Sequence, residues 1–305
     1  MASVIVIALL VFLGLPVDSS WAHVSTDATF FTDWHWRPDV IIVVTFLSTA
    51  YVIGWRRLRR RNTRSTKKWQ LLLYLTSMAT ICLALLSPID ALGSFLFIFH
   101  MTQHELLMMV AAPLLLLANP LPAFLWGLSQ RLRYRLGRLL TRDALVRRGL
   151  KILTWMGLTL PLYTVNLWSW HYPPVFEAAL RNDLVHDLQH LSFFIGGLLF
   201  WWPVINPPPK VHGYIPYGFR IVYVIAATLP TMLPVMGLVF FTERSFYPYY
   251  AAVPRLWGIT ILEDQSNGWA IMALAEGTAY LTAILLLVAR MAEHEERMMR
   301  LEQTT

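Results

Sequence analysis

Cysteine is nearly absent, with Cys82 alone among 305 residues. One thiol excludes a disulfide framework and any zinc or iron–sulfur centre built on thiolates. Charge is also scarce, at 14% of residues, and no Gly-rich phosphate loop, nucleophile elbow or nucleotide motif occurs. What fills the chain is apolar. With 56% hydrophobic residues and a mean hydropathy of +0.51 it has the composition of a polytopic membrane protein rather than of a soluble domain.

The apolar runs predict an all-α membrane protein with seven transmembrane helices. They cover 39–55, 69–87, 95–118, 151–170, 184–205, 219–241 and 268–289, each long enough at 1.5 Å per residue for a hydrocarbon core of about 30 Å. Residues 1–22 read as a signal peptide or an uncleaved anchor, with small residues at Ser20 and Ala22. Residues 23–38 form an external segment, 39–290 the membrane domain and 291–305 a charged cytoplasmic tail. Residues 121–150, with Arg131, Arg133, Arg135 and Arg138, read as a surface-lying amphipathic segment. The net charge of +7 suggests nucleic acid at first sight, but its distribution explains it otherwise. Of 25 Lys and Arg, 21 fall in the loops 56–68, 119–151 and 206–220 and in the tail. By the positive-inside rule the N-terminus is outside and the C-terminus inside.

Two motifs stand out against this background: His100-Met101-Thr102-Gln103-His104 and His186-Asp187-Leu188-Gln189-His190. Residues i and i+4 share a helix face, so each motif presents two imidazoles together. Ionisable side chains in membrane helices are costly and ask for a partner. With this topology both pairs lie at the outer rim, beside His171 at the end of the fourth span, whereas only His212 and His294 are inside. His23 and His35 read as loop residues. The expected metal ligands are therefore His100, His104, His171, His186 and His190. Met101, Met232, Met236, Asp187 and Asp264 are secondary candidates, and Gln103 and Gln189 are hydrogen-bond partners that orient the rings. Imidazole with thioether and without thiolate leans toward copper. Glu105 reads as an acid at the outer level. Glu276, near the middle of the seventh span, reads as an interhelical hydrogen bond or part of a proton path.

The two His motifs, together with Ala112-Pro113-Leu114-Leu115-Leu116-Leu117-Ala118-Asn119-Pro120, Trp170-His171-Tyr172-Pro173, Phe200-Trp201-Trp202-Pro203 and Asp264-Gln265, resemble the CtaG family of membrane proteins. The resemblance covers about residues 40–290. It implies seven spans in the bacterial plasma (inner) membrane and a part in assembling caa-type cytochrome c oxidase, at the copper centre of the catalytic subunit. The implied partners are oxidase subunits and the lipid bilayer. The implied chemistry is metal exchange rather than enzymatic catalysis. Where an acid is common in that family, this chain has Gln189, which removes a charge from the site. Two rival readings use the same histidines: a haem-binding electron carrier with axial imidazoles, and a zinc-dependent membrane hydrolase with Asp187 or Asp264 as base.

Overall fold

The computed structural model describes residues 36–61, 66–139, 141 and 144–303. The expected signal or anchor segment, His23 and His35 lie outside the described residues.

Everything described is helical or connecting. Helix α1 spans Pro38–Arg61 and α2 Lys68–Leu86; Ser87 then caps the short α3, Pro88–Gly93, its Oγ accepting from Ile89 N at 3.2 Å. The helix that carries the first His pair begins as α4, Phe97–Glu105, passes through a π-helical turn at Leu106–Ala111 and ends as α5, Ala112–Leu117. Beyond Asn119 the chain bends by 65° into α6, Pro120–Gly127. The basic segment forms α7, Gln130–Arg138, and α8, Leu145–Leu153, followed by α9, Met156–His171, and α10, Pro173–Arg181. Helix α11, Asp183–Ile205, carries the second His pair, and its first turn is capped by Asn182 Oδ1, which accepts from Val185 N at 3.2 Å. Then come α12 (Tyr217–Thr228), α13 (Met232–Phe241), α14 (Tyr249–Ala252) and the 42-residue α15 (Ile261–Glu302).

Large apolar side chains cover the outside of this bundle. Ile42, Phe46, Leu72, Val222, Ile225, Leu281 and Leu285 are each at least half exposed, a surface suited to lipid rather than water. The protein is a multi-pass membrane protein. Five helices are long and apolar enough to cross a bilayer, or six if the bent pair Phe97–Leu117 and Pro120–Gly127 counts as one span. The expected count of seven exceeds this because 151–170 is not one helix. The chain breaks at Thr154 and Trp155, leaving α9 with 16 residues, roughly 24 Å. The expected sixth span is one of the five, Tyr217–Phe241, with a turn around Pro230 between α12 and α13. The last helix is longer than expected, because Thr260 and Glu263 form a capping box that starts it before Asp264 and the tail continues it to Glu302.

Helices α4 and α15 are joined at their ends by one carboxylate. Leu96 precedes α4 and offers no side-chain cap, so the first amides of that helix need an acceptor from elsewhere. Asp264 supplies it, accepting from Phe97 N at 2.9 Å and Ile98 N at 3.1 Å, while Arg255 donates to it at 3.2 Å. The next residue, Gln265, accepts from Phe246 N at 2.7 Å and donates to Arg244 O at 3.2 Å, holding the 242–260 connection in place. One turn on, Gly268 leaves room for Phe97 and Met101, whose side chains a Cβ there would strike. Further along α4, Trp201 donates to the π-turn carbonyl of Met108 at 3.1 Å and Ser77 to that of Ala111 at 2.8 Å.

Asp264→Ala removes acceptors from two buried helix-start amides and from Arg255. Its expected cost is about 2–4 kcal/mol, with Asp264→Asn losing less. Thermal unfolding of the detergent-purified protein measures both, and an unchanged midpoint for the alanine variant contradicts the cross-helix cap.

Candidate metal centre

The two i, i+4 pairs face each other. Within α4 the rings of His100 and His104 have centroids 4.5 Å apart, and within α11 those of His186 and His190 are 4.2 Å apart. Across the two helices, His104 and His190 are 5.3 Å apart, His100 and His190 5.9 Å, and His100 and His186 5.1 Å. His171, at the end of α9, stands 6.0 Å from His104. Three helices thus bring five imidazoles to one place.

Three of the five converge further. His100, His104 and His190 each offer a ring nitrogen, and these atoms lie within 4.8 Å of one another. The three rings are 1%, 0% and 2% exposed. Both nitrogens of His104 and both of His190 are buried without a hydrogen-bond partner. An orphaned buried polar group costs about 1–3 kcal/mol, and two of these four nitrogens, one per neutral ring, carry a lone pair that lacks an electrophile. The donor set therefore fits a nitrogen-ligated metal ion.

The supporting residues fix the rings. His100 Nε2 donates to Gln189 Oε1 at 3.3 Å, which leaves Nδ1 as its lone-pair atom. Gln189 thus orients a ring across the helix interface. Gln103 serves packing instead, donating to Ala84 O at 2.8 Å and Asp90 Oδ1 at 2.7 Å. Phe176 lies against His100 at 4.9 Å and Phe193 against His104 at 4.4 Å, so aromatic rings rather than an open slot flank the cluster.

Residues 49–294 match the family described as the cytochrome c oxidase caa3 assembly factor, CtaG. The chain belongs to that family. Two proteins of Mycobacterium, from M. bovis and M. tuberculosis, are each 27% identical over 307 residues covering 94% of this chain and 43% of their own length. They are named "Uncharacterized protein Mb0105" and "Uncharacterized protein MT0111". A third, "Uncharacterized protein ML1998" of M. leprae, is 25% identical over 88% of this chain and 41% of its own length. The chain thus spans about two fifths of the length of these relatives. No solved structure gives a significant match.

The other residues singled out for this CtaG-family chain fall in different places. His186, half-buried, is the most open of the five histidines, and Asp90, Asp183 and Asp187 act on it electrostatically. Asp187 itself belongs to an ion-pair clasp, with Arg37 donating to it at 2.5 and 2.8 Å and to Asp39 at 2.6 Å. Burial opposes the charge on Arg37, and the hydrogen bonds to Asp187 and Asp39 outweigh it, holding the guanidinium above its ordinary pKa. Asp264 spends its oxygens on the start of α4 and on Arg255. Neither acid is aimed at the imidazoles. Met101 is fully buried and meets His171, Nε2 to Sδ, at 3.4 Å. Met232 lies instead beside Gly277, nine residues along α15 from the glycine that meets Met101. That separation is roughly 13 Å along the axis, so the structure does not bring Met232 to the cluster. Met236, the next turn of α13, is half-buried against the main core.

Two features were not visible in the sequence. Arg37 ties the start of α1 to the start of α11 across 150 residues. Glu105 is not a rim acid but is 3% exposed and close enough to Glu276 on α15 for the two carboxyls to act on each other, with the hydroxyls of Tyr163 and Thr231 close to Glu276. None of the four carboxyl oxygens has a hydrogen bond of ordinary length. A carboxyl beside His104 on a membrane helix and a second facing it from α15 were the signals, but pairing them needed the packing.

Arg37→Ala strands Asp39 and Asp187, both largely buried. The expected loss is about 2–4 kcal/mol, and Arg37→Leu combined with Asp39→Asn and Asp187→Asn recovers most of it. Melting temperatures of the three proteins decide this. Equal losses in the single and triple variants overturn the clasp.

Proposed function

We propose that this chain holds copper at His100, His104 and His190 and hands it to the catalytic subunit of a caa-type cytochrome c oxidase in a bacterial plasma membrane. The observation that carries the reading is the set of unpartnered, buried ring nitrogens on His104 and His190 beside His100, in a member of an oxidase-assembly family. In this reading α9 is a seventh, short span, which its exposed Leu162 (41%) and Val165 (62%) support. The N-terminus is then outside, and the histidine end of the bundle faces the outer surface, where the positive-inside rule puts few basic residues.

The copper ion is cargo, and the residues act on it by binding and releasing it. Half-buried His186 is the most open of the five histidines and stands at the mouth of the cluster, where Asp90 and Asp183 favour a cation and the Arg37–Asp187 pair largely cancels itself. Three neutral imidazoles then hold the ion away from water. A site of exchangeable nitrogen ligands suits a carrier, because an acceptor can replace them one at a time. No bond of the substrate protein is made or broken other than those to the metal.

Geometry weighs against the rivals. Phe176 and Phe193 pack directly on the His100 and His104 rings, where a haem macrocycle would have to lie. A hydrolase needs a base directed at metal-bound water, and both Asp187 and Asp264 are engaged elsewhere.

Elemental analysis of the purified protein, beside His104→Ala/His190→Ala, tests the reading. Copper is expected in the wild type and at least tenfold less in the double variant. In cells carrying that variant, the copper content of the oxidase is expected to fall. A haem spectrum, zinc in place of copper, or undiminished oxidase copper overturns it.

A further inference from the structure

His171 is flanked by two groups that only accept. Its Nδ1 lies 2.7 Å from the carbonyl oxygen of Leu167. A carbonyl has no proton to give, so Nδ1 carries the ring hydrogen. The neutral ring then presents a lone pair at Nε2, and that atom faces Met101 Sδ at 3.4 Å. A thioether is also without a proton. Two electron-pair donors are thus pointed at each other in a buried place, His171 at 5% exposure and Met101 at 0%.

An ion between them resolves this contact. First-row metals bind imidazole nitrogen at about 2.0 Å and sulfur at about 2.3 Å, the lengths known for zinc, which at a tetrahedral angle hold the two atoms about 3.5 Å apart. The observed separation matches without rearrangement. The surroundings choose the kind of ion. Trp269, Phe193 and Phe176 stand 5.5, 5.9 and 6.2 Å from the imidazole, and a thioether in an aromatic setting favours a soft, singly charged ion. His104, with both nitrogens unpartnered, has its ring 6.0 Å from that of His171.

We infer that His171 Nε2 and Met101 Sδ form a second station, for a cuprous ion, beside the three-histidine centre and linked to it through His104. The station itself stands on the His171–Met101 contact, and only its supply of copper rests on the function proposed above. In the transfer, metal bonds to His100 and His190 break as bonds to Nε2 and Sδ form, and the one lone pair of His104 stays on the moving ion, which leaves His100 and His190 to a second ion. The ion stays Cu(I), the imidazoles stay neutral, and no electron or proton changes place.

The test loads the full-length, detergent-purified protein with Cu(I) under reducing conditions, counts bound copper and records X-ray absorption at the copper edge. The wild type is expected to hold two equivalents and to show a sulfur shell at about 2.3 Å, a length typical of metal–sulfur bonds. Met101→Leu is expected to lose one equivalent and the sulfur shell while keeping the nitrogen shell. His100→Ala/His190→Ala is expected to keep the sulfur-bound equivalent. Full selenomethionine labelling, which leaves the fold alone, is expected to turn the sulfur shell into a selenium shell. A wild type holding one ion with nitrogen ligands only, or a sulfur shell that survives Met101→Leu, overturns the second station and leaves the three-histidine centre standing. A sulfur-bound ion with no contribution from His100 and His190 does the reverse. No copper in the wild type overturns both.

Discussion

The histidine cluster depends on where α4 begins, and that is decided by the carboxylate of Asp264. The first amides of a helix carry partial positive charge and lack intrahelical acceptors. In this protein they are met by a side chain from the far end of the sequence, 167 residues away. Because Asp264 is the fourth residue of α15 and is itself held by Arg255, the axial position of α4 is referenced to the start of the longest helix. Gly268 then sets how closely the two helices approach, and Met101 fills the space that this leaves. The height of His100 and His104 in the bundle follows from those contacts rather than from anything in the two histidines themselves.

A second constraint acts from the other side. Helix α11 has its own cap at Asn182, and Arg37 fastens its first turn to α1 through Asp187. The two His-bearing helices are therefore positioned by separate anchors, each outside the cluster. Gln189 is the direct tie between their sites, bonding to His100 from a position next to His190. An amide suits this place, since it accepts from the ring without adding charge to the centre.

Much of the cluster could be read from spacing, because i and i+4 on a helix must share a face, and five histidines at one level have few ways to avoid each other. The link from residues 49–294 to the family could be read as well, through motifs that are local in sequence. What could not be read was tertiary. Asp187 and Asp264 looked like free acids near a cation, and only packing revealed the guanidinium and the helix start that use them. Met232 had the right spacing to its neighbour Met236 and the wrong depth for the cluster. The break at Thr154 and Trp155 carries only weak signals, one threonine and Gly157 inside an apolar run, so one span was expected where two helices form. By contrast, the early start of α15 was present in the sequence as Thr260 followed by Glu263, a capping signature outweighed by the polar character of Asp264 and Gln265.

The π-helical turn at Leu106–Ala111 separates the histidine-bearing part of its span from Ala112–Leu117, the half packed between α2 and α11. A π turn holds about one residue more than an α turn, and each residue of an α-helix advances the wheel by about 100°. Removing one residue between 106 and 111 would hardly alter the length of the span. It would also keep the two halves in phase, since one full turn remains, whereas a residue removed from a purely α-helical stretch would rotate the side chains on its two sides by about 100° relative to each other. The metal centre is thus sensitive to the phase of this helix and tolerant of its length, and two chains with equally long hydrophobic segments here need not present the same face to the ion.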